Sequence, residues 1–128
     1  MKPRVLLVDD DREVLLVTGQ LLERSNFEVV SVTSAADALN RIGAEAFDLV
    51  ITDYRMSGSN GDVVVNAARA TQPATPVMMI TGWIDELPRW LRSGPAAVRV
   101  VPKPFTLGDL LAVAFQVMAA NTNVSAAR

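Results

Sequence analysis

The chain has 128 residues, 50% of them hydrophobic, which suits one globular domain with a core of its own. Twelve basic against fourteen acidic residues give a net charge of -2, no basic footprint for nucleic acid or an anionic membrane surface. The chain contains no histidine and no cysteine, which excludes the usual zinc sites, Ser-His-Asp and Cys-His nucleophile systems and a phosphohistidine carrier, and leaves any chemistry to carboxylates.

No apolar stretch approaches the roughly 20 residues of a membrane span. The first strand starts too close to Met1 for a signal peptide, and a cysteine-free chain fits a reducing compartment. The expectation is a soluble, cytoplasmic protein.

Arg4 to Asp9 reads as a strand, apolar through Val5-Leu6-Leu7-Val8, as suits a central parallel strand covered on both faces. It ends on the acidic pair Asp9 and Asp10. A helix follows, capped by Asp10 or Asp11, with Val14, Val17, Thr18, Leu21 and Leu22 spaced as one buried face. Ser25-Asn26 ends it. Phe27 to Val32 reads as a shorter strand near an edge, and Ser34 caps a second helix through about Glu45, with Ala38, Leu39 and Ile42 inward. Phe47 to Asp53 is the third strand, an apolar run that stops on a carboxylate. Burying that carboxylate is costly unless a cation or hydrogen-bond donor meets it.

The loop Met56-Ser57-Gly58-Ser59-Asn60-Gly61 is small and polar, suited to facing a ligand. Val63-Val64-Val65 has strand propensity, but the alternation of elements and the alanines that follow argue for a helix from about Asn60 to Ala70. Pro76 to Thr81 is the fourth strand. Trp83 to Ser93 should form a helix that Pro88 leaves short, kinked or restarted, with Trp83 and Trp90 assigned to the core. Ala97 to Val101 is the fifth strand, followed by Pro102-Lys103-Pro104. In the last helix Thr106 and Asp109 form a capping box. Its core stripe reads as Leu107, Leu110, Leu111, Ala114, Phe115 and Met118, with Val113 and Val117 on the opposite face as a docking or dimer surface. Residues 1–120 form the domain, and 121–128 read as a frayed, disordered tail.

Strands alternating with helices imply right-handed crossovers and an α/β, doubly wound, five-stranded parallel sheet with helices on both faces. Ligands in such sheets sit beyond the carboxyl ends of the strands. Asp9, Asp10, Asp53, Thr81 and Lys103 all stand there. Three carboxylates beside one ammonium call for a divalent cation.

These residues resemble the receiver domains of two-component response regulators, over about Arg4 to Met118. Val8-Asp9-Asp10 looks like the family's acidic pair, Asp53 in Ile51-Thr52-Asp53-Tyr54-Arg55-Met56 like its phosphoacceptor, Thr81-Gly82 like its switch hydroxyl and Lys103-Pro104-Phe105 like its lysine motif. The resemblance implies a flavodoxin-like strand order 2-1-3-4-5. It also implies phosphoryl transfer from a histidine kinase or phosphotransfer protein onto Asp53. Mg²⁺ would be held by Asp9, Asp10, Asp53 and the Arg55 backbone carbonyl, with Lys103 and Thr81 on the phosphoryl group. The output would be a changed surface on helix four, strand five and helix five, for a downstream protein or a homodimer. Catalysis of its own would be limited to slow loss of phosphate.

The chain departs from the family at Val100, where an aromatic is usual, at Ser57, where proline usually follows the methionine, and at Pro88. Arg55 and Trp83 stand two residues beyond Asp53 and Thr81, placed to hinder a hydrolytic water. Two other readings compete: a pseudo-receiver that binds proteins without turning over phosphate, and an FMN-binding flavodoxin-like carrier. The second wants a Ser/Thr/Gly phosphate loop after the first strand, where this chain is acidic.

Overall fold

The computed structural model describes residues 2–126, with side-chain environments over 2–120. The tail expected over 121–128 lies outside the fully described residues. The elements in order are β1 (Arg4–Val8), α1 (Arg12–Arg24), β2 (Glu28–Val32), α2 (Ala35–Ala44), β3 (Leu49–Asp53), α3 (Gly61–Thr71), β4 (Val77–Thr81), α4 (Arg89–Arg92), β5 (Arg99–Pro102) and α5 (Leu107–Ala126). All four strand pairings are parallel, in the order β2-β1-β3-β4-β5. This is the doubly wound arrangement expected from the sequence.

Every residue of β3 and β4 is buried, because alternate side chains feed two cores. Leu6, Val8, Val50 and Met79 join Ala38, Ile42, Val64, Val65 and Leu91 on the side of α2, α3 and α4. Leu7, Ile51, Met78 and Ile80 join Leu15, Leu22, Leu110 and Ala114 on the side of α1 and α5. Among the described residues no helix is long and apolar enough to cross a membrane.

The triple valine is helical: Val64 and Val65 are buried and Val63 is exposed, so tertiary packing overrides strand propensity. Pro88 does not kink a long helix but starts a new one. A 3₁₀ turn over Ile84–Glu86 precedes it, and the four-residue α4 begins immediately after the proline, where a missing N–H costs nothing. Asn26, at φ 72°, turns the chain out of α1.

Helix faces differ in phase from the sequence reading. In α1 the buried residues are Leu15, Thr18, Gly19 and Leu22, whereas Val17 is exposed and Val14 and Leu21 are only half-buried. Gly19 stands where α1 meets β2, and a Cβ there would make ordinary van der Waals contact, 3.5 Å from Ser31 Oγ and 3.8 Å from Val29. In α2, Ala35, Ala38 and Ile42 hold the buried face and Leu39 is left partly outside. In α5 Leu110 and Ala114 are buried with Leu111 and Met118 packed against the same core, as expected, but Val113 and Val117 pack there too instead of forming an outer apolar face. Phe115 is half exposed, its ring stacked on Phe27 at 5.8 Å. Trp83 is 53% exposed and not core, while Trp90 is packed against it.

Candidate functional site

The carboxyl ends of β1, β3 and β5 meet at one rim. Asp9, one residue past β1, is buried, and its two oxygens are separately engaged: Oδ1 accepts from the Asp11 N–H at 3.0 Å, and Oδ2 from Lys103 Nζ at 3.0 Å. Asp53, the last residue of β3, is also buried, with Oδ1 accepting from the Tyr54 N–H at 2.8 Å and Oδ2 from the same Lys103 Nζ at 3.2 Å. Lys103 therefore bridges the two carboxylates. Its own backbone N–H continues the β4–β5 ladder by donating to the Thr81 carbonyl at 2.8 Å, which fixes where the side chain starts, and the Lys103-Pro104 bond is cis.

Capping of α1 falls to Asp11, whose carboxylate accepts from the N–H groups of Glu13 and Val14. Asp10 is thereby released from that task. It is exposed, and its Oδ2 accepts from the Ser57 N–H at 2.8 Å. Proline in place of Ser57 would have no N–H to give. The serine thus ties the loop after β3 to the end of β1.

One oxygen from each of Asp9, Asp10 and Asp53 lies within 4.8 Å of the others. Three carboxylates face one ammonium there, and hard oxygen donors with excess negative charge form a set that a small divalent cation fits. The electrostatics say the same. Burial pushes the Asp53 carboxyl up, the neighbouring Asp9 charge adds to this, and Lys103 only partly opposes it, so its pKa rises to about 6. Burial disfavours the Lys103 ammonium, but the hydrogen bond to Asp9 and the charge of Asp53 outweigh that and hold its pKa above the ordinary value.

Thr81 ends β4, fully buried, and its hydroxyl oxygen accepts from the Trp83 N–H at 3.0 Å, which leaves the hydroxyl hydrogen to donate. Arg55 leaves the β3 end in the other direction. Its guanidinium lies over the Trp83 ring at 4.8 Å, and its Nε is 3.6 Å from Glu86. The pair spans the loops after β3 and β4. Val100 is half-buried against the α2–α4 core.

Sequence reasoning put Gly61 in the polar loop and marked Ser57 as a departure from the usual proline, but assigned neither a specific contact at the site. The Gly61 N–H donates to the Tyr54 carbonyl at 2.6 Å, and a Cβ on Gly61 would stand 2.1 Å from the backbone oxygen of Asp53. A glycine opening a helix, where glycine is otherwise unfavourable, was the available signal. For Ser57 the available signal was the missing proline, which leaves an N–H able to donate to Asp10.

Comparison with known proteins gives concordant results. The family model for the response regulator receiver domain matches residues 5–115. The transcriptional regulatory protein CpxR of Escherichia coli K12 is 37% identical over 109 residues, 85% of this chain and 46% of that protein. The sensor protein GacS of Pseudomonas syringae pv. syringae is 40% identical over 84 residues, 62% of this chain and 9% of that protein. The chain thus spans less than half the length of these relatives. Among solved structures, a response regulator receiver protein from Sinorhizobium medicae WSM419 superposes with a TM-score of 0.80 at 28% identity, covering 94% of this chain and 97% of that one.

Proposed function

Because the chain belongs to the response regulator receiver domain family, we propose that it is a phosphoacceptor switch that takes a phosphoryl group from a histidine kinase or phosphotransfer protein onto Asp53. The observation that carries this reading is the Lys103 ammonium bound to both Asp9 and Asp53 at the rim where Asp10 also faces.

An ionised Asp53 oxygen attacks the phosphorus of the donor's phosphohistidine. A new O–P bond forms as the N–P bond breaks, and the imidazole leaves with the bonding pair. Asp9, Asp10, Asp53 and the Arg55 backbone carbonyl would hold Mg²⁺, which when bound neutralises charge on the phosphoryl oxygens. Lys103 gives up its bond to Asp53 Oδ2 and pairs with a phosphoryl oxygen. Thr81 turns its free hydroxyl hydrogen toward the same group, and that turn draws on the hydrogen bond from Trp83, so the loop after β4 feels the charge at Asp53. This role needs no turnover beyond slow loss of phosphate, and it fits a cytoplasmic setting.

Incubation of the purified protein with acetyl phosphate and Mg²⁺ should add one phosphoryl group by intact mass, and a chelator should prevent it. No addition under any Mg²⁺ concentration would leave the pseudo-receiver reading in its place.

The Arg55 guanidinium stacked on Trp83 spans the loops beside the site, and in this reading it hinders the approach of a hydrolytic water to Asp53. The phosphoryl group should therefore be long-lived. The Arg55→Ala/Trp83→Ala double variant should lose it about tenfold faster, measured by mass after removal of donor. Equal lifetimes would show that the pair does not exclude water.

A further inference from the structure

Each of the three clustered carboxylates accepts one main-chain N–H. Asp9 takes it from Asp11 and Asp53 from Tyr54, two residues and one residue away, so both bonds come with the strand ends themselves. Asp10 takes it from Ser57, 47 residues further along the chain. The three are otherwise held unequally. Asp9 and Asp53 are buried and share the Lys103 ammonium, whereas Asp10 is exposed and receives nothing from Lys103. Among the described residues the Ser57 N–H is the one hydrogen-bond donor to the Asp10 side chain.

An exposed carboxylate beside two others gains by turning into solvent, away from their charge and with its rotamers free. With the Ser57 bond made, Asp10 does not turn away: one of its oxygens lies within 4.8 Å of oxygens of both Asp9 and Asp53. The donor is itself fixed. Met56, just before Ser57, is buried in the core on the α2–α4 side, and Gly58, just after it, turns the chain at φ 84°, where a side chain would be strained. A main-chain N–H placed in this way on a carboxylate makes a charge-assisted bond, here 2.8 Å long.

We infer that the Ser57 N–H is a positioning group for the divalent cation, holding Asp10 within the carboxylate cluster so that this ligand is already ordered when the ion binds. Ser57 acts through Asp10 and touches neither the ion nor the phosphoryl group. The inference rests on the reading of Asp10 as a metal ligand, and goes beyond it by giving the loop after β3 a share in metal affinity. Partners that orient a metal ligand typically contribute tenfold or more to that affinity.

The test is a titration of the isotope-labelled full chain with MgCl₂, followed by amide chemical shifts. Ser57→Pro, which has no N–H to give, should weaken Mg²⁺ binding by roughly tenfold. Ser57→Ala, which keeps the N–H and loses only the hydroxyl, should restore the parent's affinity. On an Asp10→Ala background, where one ligand is already gone, Ser57→Pro should cost nothing further. In chelator, the Ser57 amide hydrogen should exchange more slowly in the parent than in Asp10→Ala. Binding by Ser57→Pro as tight as the parent's, or tighter, would overturn the proposal, because the bond would then be idle or draw Asp10 away from the ion. An equal loss in Ser57→Ala, or the same loss on the Asp10→Ala background, would overturn it too, by placing the effect in the hydroxyl or in the shape of the loop. A parent with no response to Mg²⁺ would instead refute the metal reading on which the proposal rests.

Discussion

Gly61→Ala is expected to destabilise the protein by about 3 kcal/mol or more and to depress phosphoryl uptake with it. Alanine is the better helix former, by about 1 kcal/mol in a helix interior, so local propensity alone predicts a stabilised variant. Packing predicts the reverse. The added methyl would lie 2.1 Å from the backbone oxygen of Asp53 and 3.1 Å from the Asp53 carbonyl carbon and Tyr54 Cα. Main-chain atoms cannot swing aside as a flexible side chain can. Either α3 retreats, weakening the 2.6 Å bond from Gly61 to Tyr54, or the end of β3 moves and takes the Asp53 carboxylate off Lys103. Denaturant unfolding read beside acetyl phosphate labelling distinguishes the effects. A variant as stable as the parent, or more so, would show that helix and strand end are not in such close contact.

Asp53→Asn should stabilise the metal-free protein at neutral pH by about 2–3 kcal/mol, even though it removes a hydrogen-bonded ion pair. The reason is the surplus of negative charge. The folded-state pKa of Asp53 is raised from an ordinary 3.8 to about 6, by burial first and by Asp9 second. A raised carboxyl pKa means that the folded chain holds this proton more tightly than the unfolded chain. Its contribution to stability is present at low pH and is lost as pH climbs from the ordinary value through about 6. Asparagine abolishes that loss, and Lys103 keeps its bond to Asp9. Thermal melts in chelator should show the parent falling below the variant across that window, and Mg²⁺ should reverse the order by favouring the parent alone. A variant less stable than the parent in chelator at neutral pH would mean that Lys103 already balances the cluster.

The rim of the sheet was legible in the sequence because each strand is an apolar run that stops on a polar residue, and parallel crossovers send all those stops to one side. Asp9, Asp53, Thr81 and Lys103 follow from that rule, and Pro88 announced the break before α4. The faces of the helices were less legible. Periodicity ranks residues by hydrophobicity, but the small residues Gly19, Ala35, Ala38 and Ala114 hold buried positions that such a ranking passes over, while Val17, Leu39 and Phe115 stand outside. The docking surface expected at Val113 and Val117 is absent, since both valines pack on the core. Gly61 and Ser57 act through backbone atoms, by close approach and by an N–H, and residue type records such roles only faintly.

Peptide mapping of the protein after treatment with acetyl phosphate and Mg²⁺ tests the central claim most directly. The phosphoryl group should lie on Asp53 alone, disappear in Asp53→Asn and fall sharply in Lys103→Ala. A phosphoryl group found on another carboxylate, or retained in full by the asparagine variant, would contradict it.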